Sequence, residues 1–287
     1  MSGMEQQARE RKPKPLSYWG LLLFALVFCA GQFFPLVWLV DYSLSRSSEF
    51  FVKGILNWPA PPQWQNYLRA WVGGKFPRFL FNSALVATVT ISATVFLSLT
   101  MGYAFVRIRW KLSGLFLSII LLGMMIPIHA TLLPNFLMFR RIGGLLDSYQ
   151  GLMIPYVAFS IPIAVFVMTG FLQTVPRSLE ESAVLDGCGI YGIIFRIILP
   201  LTRPAVVTVI VLTFLASWNE FIMAVTFLSS DRFRTLPFSV INFQGQYSSD
   251  YGAQFAVMAL TAIPAVLVYV VFSRHITRGV LAGAIKE

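Results

Sequence analysis

Residues 176–204 read PRSLEESAVLDGCGIYGIIFRIILPLTRP, a polar, helix-capable stretch held between long apolar runs. Its reading decides how the rest of the chain is organised. Ser178 followed three residues later by Glu181 has the spacing of a capping box, in which each side chain satisfies the other's free backbone amide. A short helix is therefore expected from Leu179, with Gly187 and Gly189 ending it. Leu179, Ala183 and Gly187 fall on one stripe at i, i+4 spacing, while Glu181, Ser182 and Asp186 lie elsewhere. Such a helix has little bulk on its stripe and can dock closely on another surface. The run from Ile190 to Leu199 is apolar apart from Arg196, and Pro200 and Pro204 break it. The stretch is expected to form a helix-turn-helix in a cytoplasmic loop at the membrane face.

The flanking composition supports a membrane setting. The 287 residues are 57% hydrophobic and 12% charged, with a mean hydropathy of +0.72. These values lie outside the usual soluble range and imply an integral membrane protein. The net charge of +10 does not point to nucleic acid, because the lysines and arginines stand between apolar spans rather than along a patterned face. Cys29 falls in the first span and Cys188 in the loop, so the pair gives neither a disulfide framework nor metal-ligand spacing.

The apolar runs predict an all-α polytopic protein with six transmembrane helices, near residues 18–40, 79–106, 112–136, 149–172, 205–228 and 251–272. Residues 1–17 are expected to be a cytoplasmic tail, 18–276 the membrane domain containing the loop 173–204, and 277–287 a second cytoplasmic tail. No small-residue cleavage site follows the first span, which is therefore expected to be retained. With both termini inside, thirteen Lys and Arg lie on the cytoplasmic side and nine outside, in keeping with the positive-inside rule. Ser and Thr dot the second span, as expected of a close-packed interior helix. Pro155 and Pro162 predict bends in the fourth.

At Glu181-Ser182-Ala183, Gly187, Ile197 and Leu199-Pro200 the loop resembles the EAA loop of permease subunits of binding-protein-dependent ABC importers, with Ser182 where the family usually has Ala. The resemblance covers about residues 63–287. It implies that the loop seats in a partner ATPase through Glu181, Ser182, Ala183, Asp186, Gly187, Ile197, Leu199 and Pro200. It also implies a second permease subunit, two ATPase subunits that carry ATP and Mg, and an extracytoplasmic solute-binding protein. The expected place is the cell membrane of a prokaryote. Tyr103–Arg107, Ser217–Phe221 and Gly279–Ala284 resemble the carbohydrate branch, so a sugar, expected to be an oligosaccharide, is the implied substrate. An amino-acid or polyamine importer is the alternative.

Trp218, Asn219 and Glu220 are the candidate substrate path. Together an amide, a carboxylate and an aromatic face suit a sugar, and a carboxylate within a span must face protein or water. The competing reading is that Glu220 pairs structurally with a neighbouring helix or subunit. Other chemistry finds little support. Gly73-Gly74-Lys75 lacks the spacing of a phosphate-binding loop, so this subunit is not expected to bind ATP and no cofactor is expected in it. Glu180-Glu181 resembles the start of a CAAX-type metalloprotease motif, but Leu185 stands where that family needs Arg. The lone His129 has no companion at metal spacing, and no carbonyl-filter sequence of a channel is present.

Overall fold

The computed structural model describes residues 16–52, 54, 58–108, 110–245 and 249–284. The helices, in chain order, begin with α1 (Leu16–Ser43), α2 (Gln65–Val72), α3 (Phe76–Arg107), α4 (Ser113–Leu122) and α5 (Leu132–Ile142). They continue with α6 (Tyr149–Leu172), α7 (Ser178–Leu185) and α8 (Ile190–Gly192). A π-helical turn (Ile193–Ile198) joins α8 to α9 (Leu199–Leu201), and α10 (Arg203–Trp218), α11 (Ile222–Phe227), α12 (Phe238–Ile241) and α13 (Tyr251–Ala284) complete the chain. Among the described residues the only β pairing is a single bridge between Gln244 and Ser249. Among the described residues four helices are long and apolar enough to cross a membrane, or up to six if each of two bent pairs counts as one span.

Two expected spans are broken. The third turns by 93° between its halves. Pro127 lacks an amide and forces the residue before it out of the helical region, and Ile126 is accordingly extended (φ −82°, ψ 114°). The fifth does not run unbroken over 205–228: α10 stops at Trp218, residues 219–221 are not helical, and α11 restarts at Ile222. At its other end α10 meets the segment Ile190–Leu201 at 79°. Pro200 removes a backbone donor there, and the ladder slips into the π turn just before it. The sixth helix continues past residue 272 to Ala284. Most of the expected N-terminal tail, residues 1–15, and the last three residues lie outside the described residues.

The centre of the bundle is α3 packed on α6, with α10 against both and α13 against α10. In lipid the helices gain nothing from escaping water, so close van der Waals fit holds them. On α3 the inward stripe is Ser83, Val86, Ala87, Thr90, Thr94 and Ser98, all buried, which agrees with an interior second span. Gly102 lets α3 approach α6 closely: a Cβ there would stand 2.9 Å from Cγ of Met168. By contrast α1 has α13 as its main partner, by way of Trp38 and Tyr42 against Phe255, and leaves most of its apolar side chains uncovered.

The contacts also give the bundle two distinct ends. At one, the C-termini of α3 and α6 gather with α7. At the other, Asn82 near the start of α3 donates to the carbonyls of Arg232 (3.0 Å) and Arg234 (2.7 Å), and Ser83 accepts from the Leu236 amide (2.8 Å). Tyr149 at the start of α6 donates to Asn82 Oδ1 (2.8 Å).

Candidate coupling loop and substrate path

Helix α7 forms where the sequence predicts it, one residue early and without its capping box. The amides of Glu180 (2.9 Å) and Glu181 (3.0 Å) already bond the Arg177 carbonyl, so Arg177 is the cap residue and Ser178 lies inside the first turn. From that position its hydroxyl cannot reach the third amide, and no side chain caps the helix. The C-terminus follows expectation. Gly187 sits at φ +79°, its amide bonds Val184 O (3.0 Å), and the Cys188 amide bonds Ala183 O (2.9 Å), which is a Schellman motif.

Glu180 fixes the helix to the bundle. Its carboxylate lies 2.6 Å from Nε of Arg107 at the end of α3, with both side chains almost fully buried. The approach is off-line for a hydrogen bond. Arg107 directs Nη2 instead to the Val175 carbonyl (2.7 Å), and Arg177 returns a bond to Val106 O (3.1 Å). Sequence reasoning singled out both residues in other connections and missed the pair. The available signal was that Glu180 stands three residues before Ala183, on the same inward face.

Ala183 does not lie on an outward docking stripe: it is buried with Val175, Ile193, Ile194 and Ile198 in a second core cluster. The free face of the loop carries Glu181, Ser182, Asp186 and Gly187 together with exposed Leu179, Val184, Leu185, Ile190 and Tyr191. Ile197 and Leu199 are half-buried against the same cluster, and Pro200 is exposed.

The structure does not bring Trp218, Asn219 and Glu220 together around one space. Glu220 lies in the break between α10 and α11, where its Oε1 accepts from the Met223 amide (2.8 Å) and its Oε2 from the Ala224 amide (3.1 Å) and the Tyr156 hydroxyl (2.6 Å). It restarts the helix and ties it to α6. Its side borders a cavity of about 290 Å³ between the break that follows α4 (Gly123–Ile128), α6 and α10. Trp218 and Asn219 line a different cavity, of about 630 Å³, shared with α12 and α13. Trp218 is buried, stacked on Phe214, with Nε1 directed to Thr261 O (3.4 Å), and the Asn219 amide folds back on Leu215 O (3.0 Å). His129 is exposed at the break in the third span, and no group of three or more His, Cys, Asp or Glu among the described residues could hold a metal.

Residues 70–282 match the family model described as "Binding-protein-dependent transport system inner membrane component". The chain belongs to this family. It is 32% identical over 273 residues to a sulfoquinovosyl glycerol transport system permease of Agrobacterium fabrum, covering 95% of this chain and 94% of that one. It is 29% identical to a trehalose/maltose transport system permease of Thermococcus litoralis, covering 93% and 96%. Its fold is that of a chain in the crystal structure of a bacterial ABC transporter for alginate import, at 21% identity and a TM-score of 0.78, covering 91% of this chain and 98% of that one. A multi-pass membrane protein of the permease kind is thereby shown.

Proposed function

We propose that this chain is the membrane subunit through which an ATP-driven importer passes an oligosaccharide delivered by an extracytoplasmic binding protein. The sugar class is supported by the names of the relatives, which include permeases for trehalose/maltose, diacetylchitobiose and arabino-oligosaccharides. A likeness in fold to an alginate importer solved with its oligosaccharide-bound periplasmic protein agrees with a binding-protein partner. In this reading the chain crosses six times, the third crossing made by the bent pair α4–α5 and the fifth by α10, and α7 faces the cytoplasm together with both chain ends. The family's arrangement supplies a second permease subunit and two ATPase subunits, on which ATP and Mg are held.

The observation that carries the coupling role is the loop itself. Leu179 and Leu185 on α7, and Tyr191 on the neighbouring α8, expose apolar surface at this end of the bundle, and α7 is anchored from behind by a buried ion pair. Apolar side chains at the rim of a membrane domain have no lipid to cover them and call for a protein partner. Leu185, 88% exposed and touching little of its own chain, is the residue to alter. Leu185→Asp is expected to leave membrane insertion intact and to abolish the stimulation of ATP hydrolysis by loaded binding protein in the reconstituted complex. Normal stimulation in that variant would refute the docking role.

A further inference from the structure

Serine and threonine within a helix often return their hydroxyl to the carbonyl four residues back. Thr169 does so to Val165 (2.8 Å), Thr208 to Pro204 (3.0 Å) and Thr261 to Val257 (2.8 Å). Ser160 on α6 and Thr213 on α10 do not. They are 8% and 2% exposed as residues, and neither hydroxyl makes a hydrogen bond among the described residues. Neither oxygen is sealed in the protein, as fits hydroxyls that open on a cavity and are satisfied by what fills it. Both border the 290 Å³ cavity, beside Tyr156 and Glu220. Three of Glu220's roughly four acceptor positions are taken, leaving one free.

The same cavity is lined by Gly123, Ile126 and Ile128 from the broken third span and by Glu220 from the broken fifth. Irregular backbone at membrane depth persists only where it is buried in protein or lines a wet space, and paired broken helices are where transporters place their binding sites. The volume falls at the low end for small-molecule sites, room for one ring and a few waters. Its lining is mixed, the hydroxyls and the Glu220 carboxylate beside apolar Ile126, Phe159 and Ile163. A cation would need oxygens all round, whereas a sugar ring offers hydroxyls at its edge and an apolar face.

We propose that this cavity is a subsite for one neutral sugar ring of the transported oligosaccharide, with Ser160 and Thr213 bonding its hydroxyls and Glu220 accepting from one of them. The inference rests on the oligosaccharide-importer reading and adds direct contact with substrate by this subunit.

The test uses the whole complex in proteoliposomes, with its binding protein and radiolabelled maltose, trehalose and arabinotriose. Thr213→Val and Ser160→Ala are expected to lower import of whichever sugar the wild type carries by about fivefold each, one hydrogen bond's worth. Binding-protein-stimulated ATP hydrolysis should stay within about twofold of wild type, and the self-bonded Thr261→Val should behave as wild type, outcomes a general packing role would not give. Import unchanged in both variants, or a sodium requirement for import, would overturn the subsite while leaving the importer reading in place. Failure of the wild type to import any of the three sugars would overturn that reading, and the subsite with it. A second measurement covers the case of poor assembly: Ser160→Cys, with Cys29 and Cys188 replaced by Ala, should react with a water-soluble methanethiosulfonate and be protected by the imported sugar. An unreactive or unprotected thiol would also sink the proposal.

Discussion

A buried ion pair is a poor source of net stability and a severe loss when halved, because the remaining charge stays out of water without a partner. The Arg107–Glu180 pair is of this kind. Arg107→Leu or Glu180→Gln is expected to destabilise the junction between α3 and α7 by roughly 3–5 kcal/mol, the usual cost of breaking a buried pair. Both should lower the melting temperature of the purified complex and its coupled transport. The exchange Arg107→Glu with Glu180→Arg should recover part of both, and no recovery would mean that the two act through other contacts. At the same scale, Glu220 was legible only in part. Its cost within a span required a partner, but the sequence could not choose among partners, and the Tyr156 hydroxyl and two amides of the following turn supply them.

Among elements, the straight spans were readable and the bent ones were not. A hydropathy window sees the same apolar content whether a segment continues or turns, and in the third span the turn is decided locally, at Ile126-Pro127. In the fifth the Glu220 carboxylate accepts two amides of the turn that follows the break and the Tyr156 hydroxyl of α6, and the last of these partners is not readable from the local sequence. The start of α7 shows how a correct element acquires a wrong detail: Arg177 is already in helical backbone conformation, so the cap falls one residue early.

The segment 229–237 at the opposite end is pinned by two carboxylates. Burial works against the Asp147 charge, but the amides of Ser230 and Ser229 donate to it and hold its carboxyl below the ordinary range. Asp231 is held low by hydrogen bonding from Lys75, with burial opposing and Lys75 and Arg234 adding their charge. A depressed carboxyl stabilises the fold above its ordinary pKa, about 3.9, and loses that contribution as pH falls through the depressed value. Protease resistance of this segment is therefore expected to hold from neutral pH down to about 4 and to fall below it. In Asp147→Asn the acid-induced part of that change should shrink, and an unaltered acid profile would exclude Asp147 as its source.

For the whole molecule, family and function class were legible because the loop motif sits at fixed spacing, whereas the architecture of the substrate path was not. Three adjacent residues, Trp218 to Glu220, fall on two different cavities once α10 ends between them. Helix α3, meanwhile, runs 32 residues without interruption, about 48 Å at 1.5 Å per residue. It is held by Lys75 to Asp231 where it begins and by Arg107 to Glu180 where it ends. Unlike the broken third and fifth spans it has a grip at each end and no joint between, the build of a push-rod. Val95→Pro, placed midway, should give it a joint, leaving basal ATP hydrolysis running while it no longer answers to loaded binding protein; a normal response would mean that the stroke travels by another helix. In the proposed importer, arrival of cargo outside and engagement of the motor inside would then be two ends of a single stroke, with no slack in which one could happen without the other.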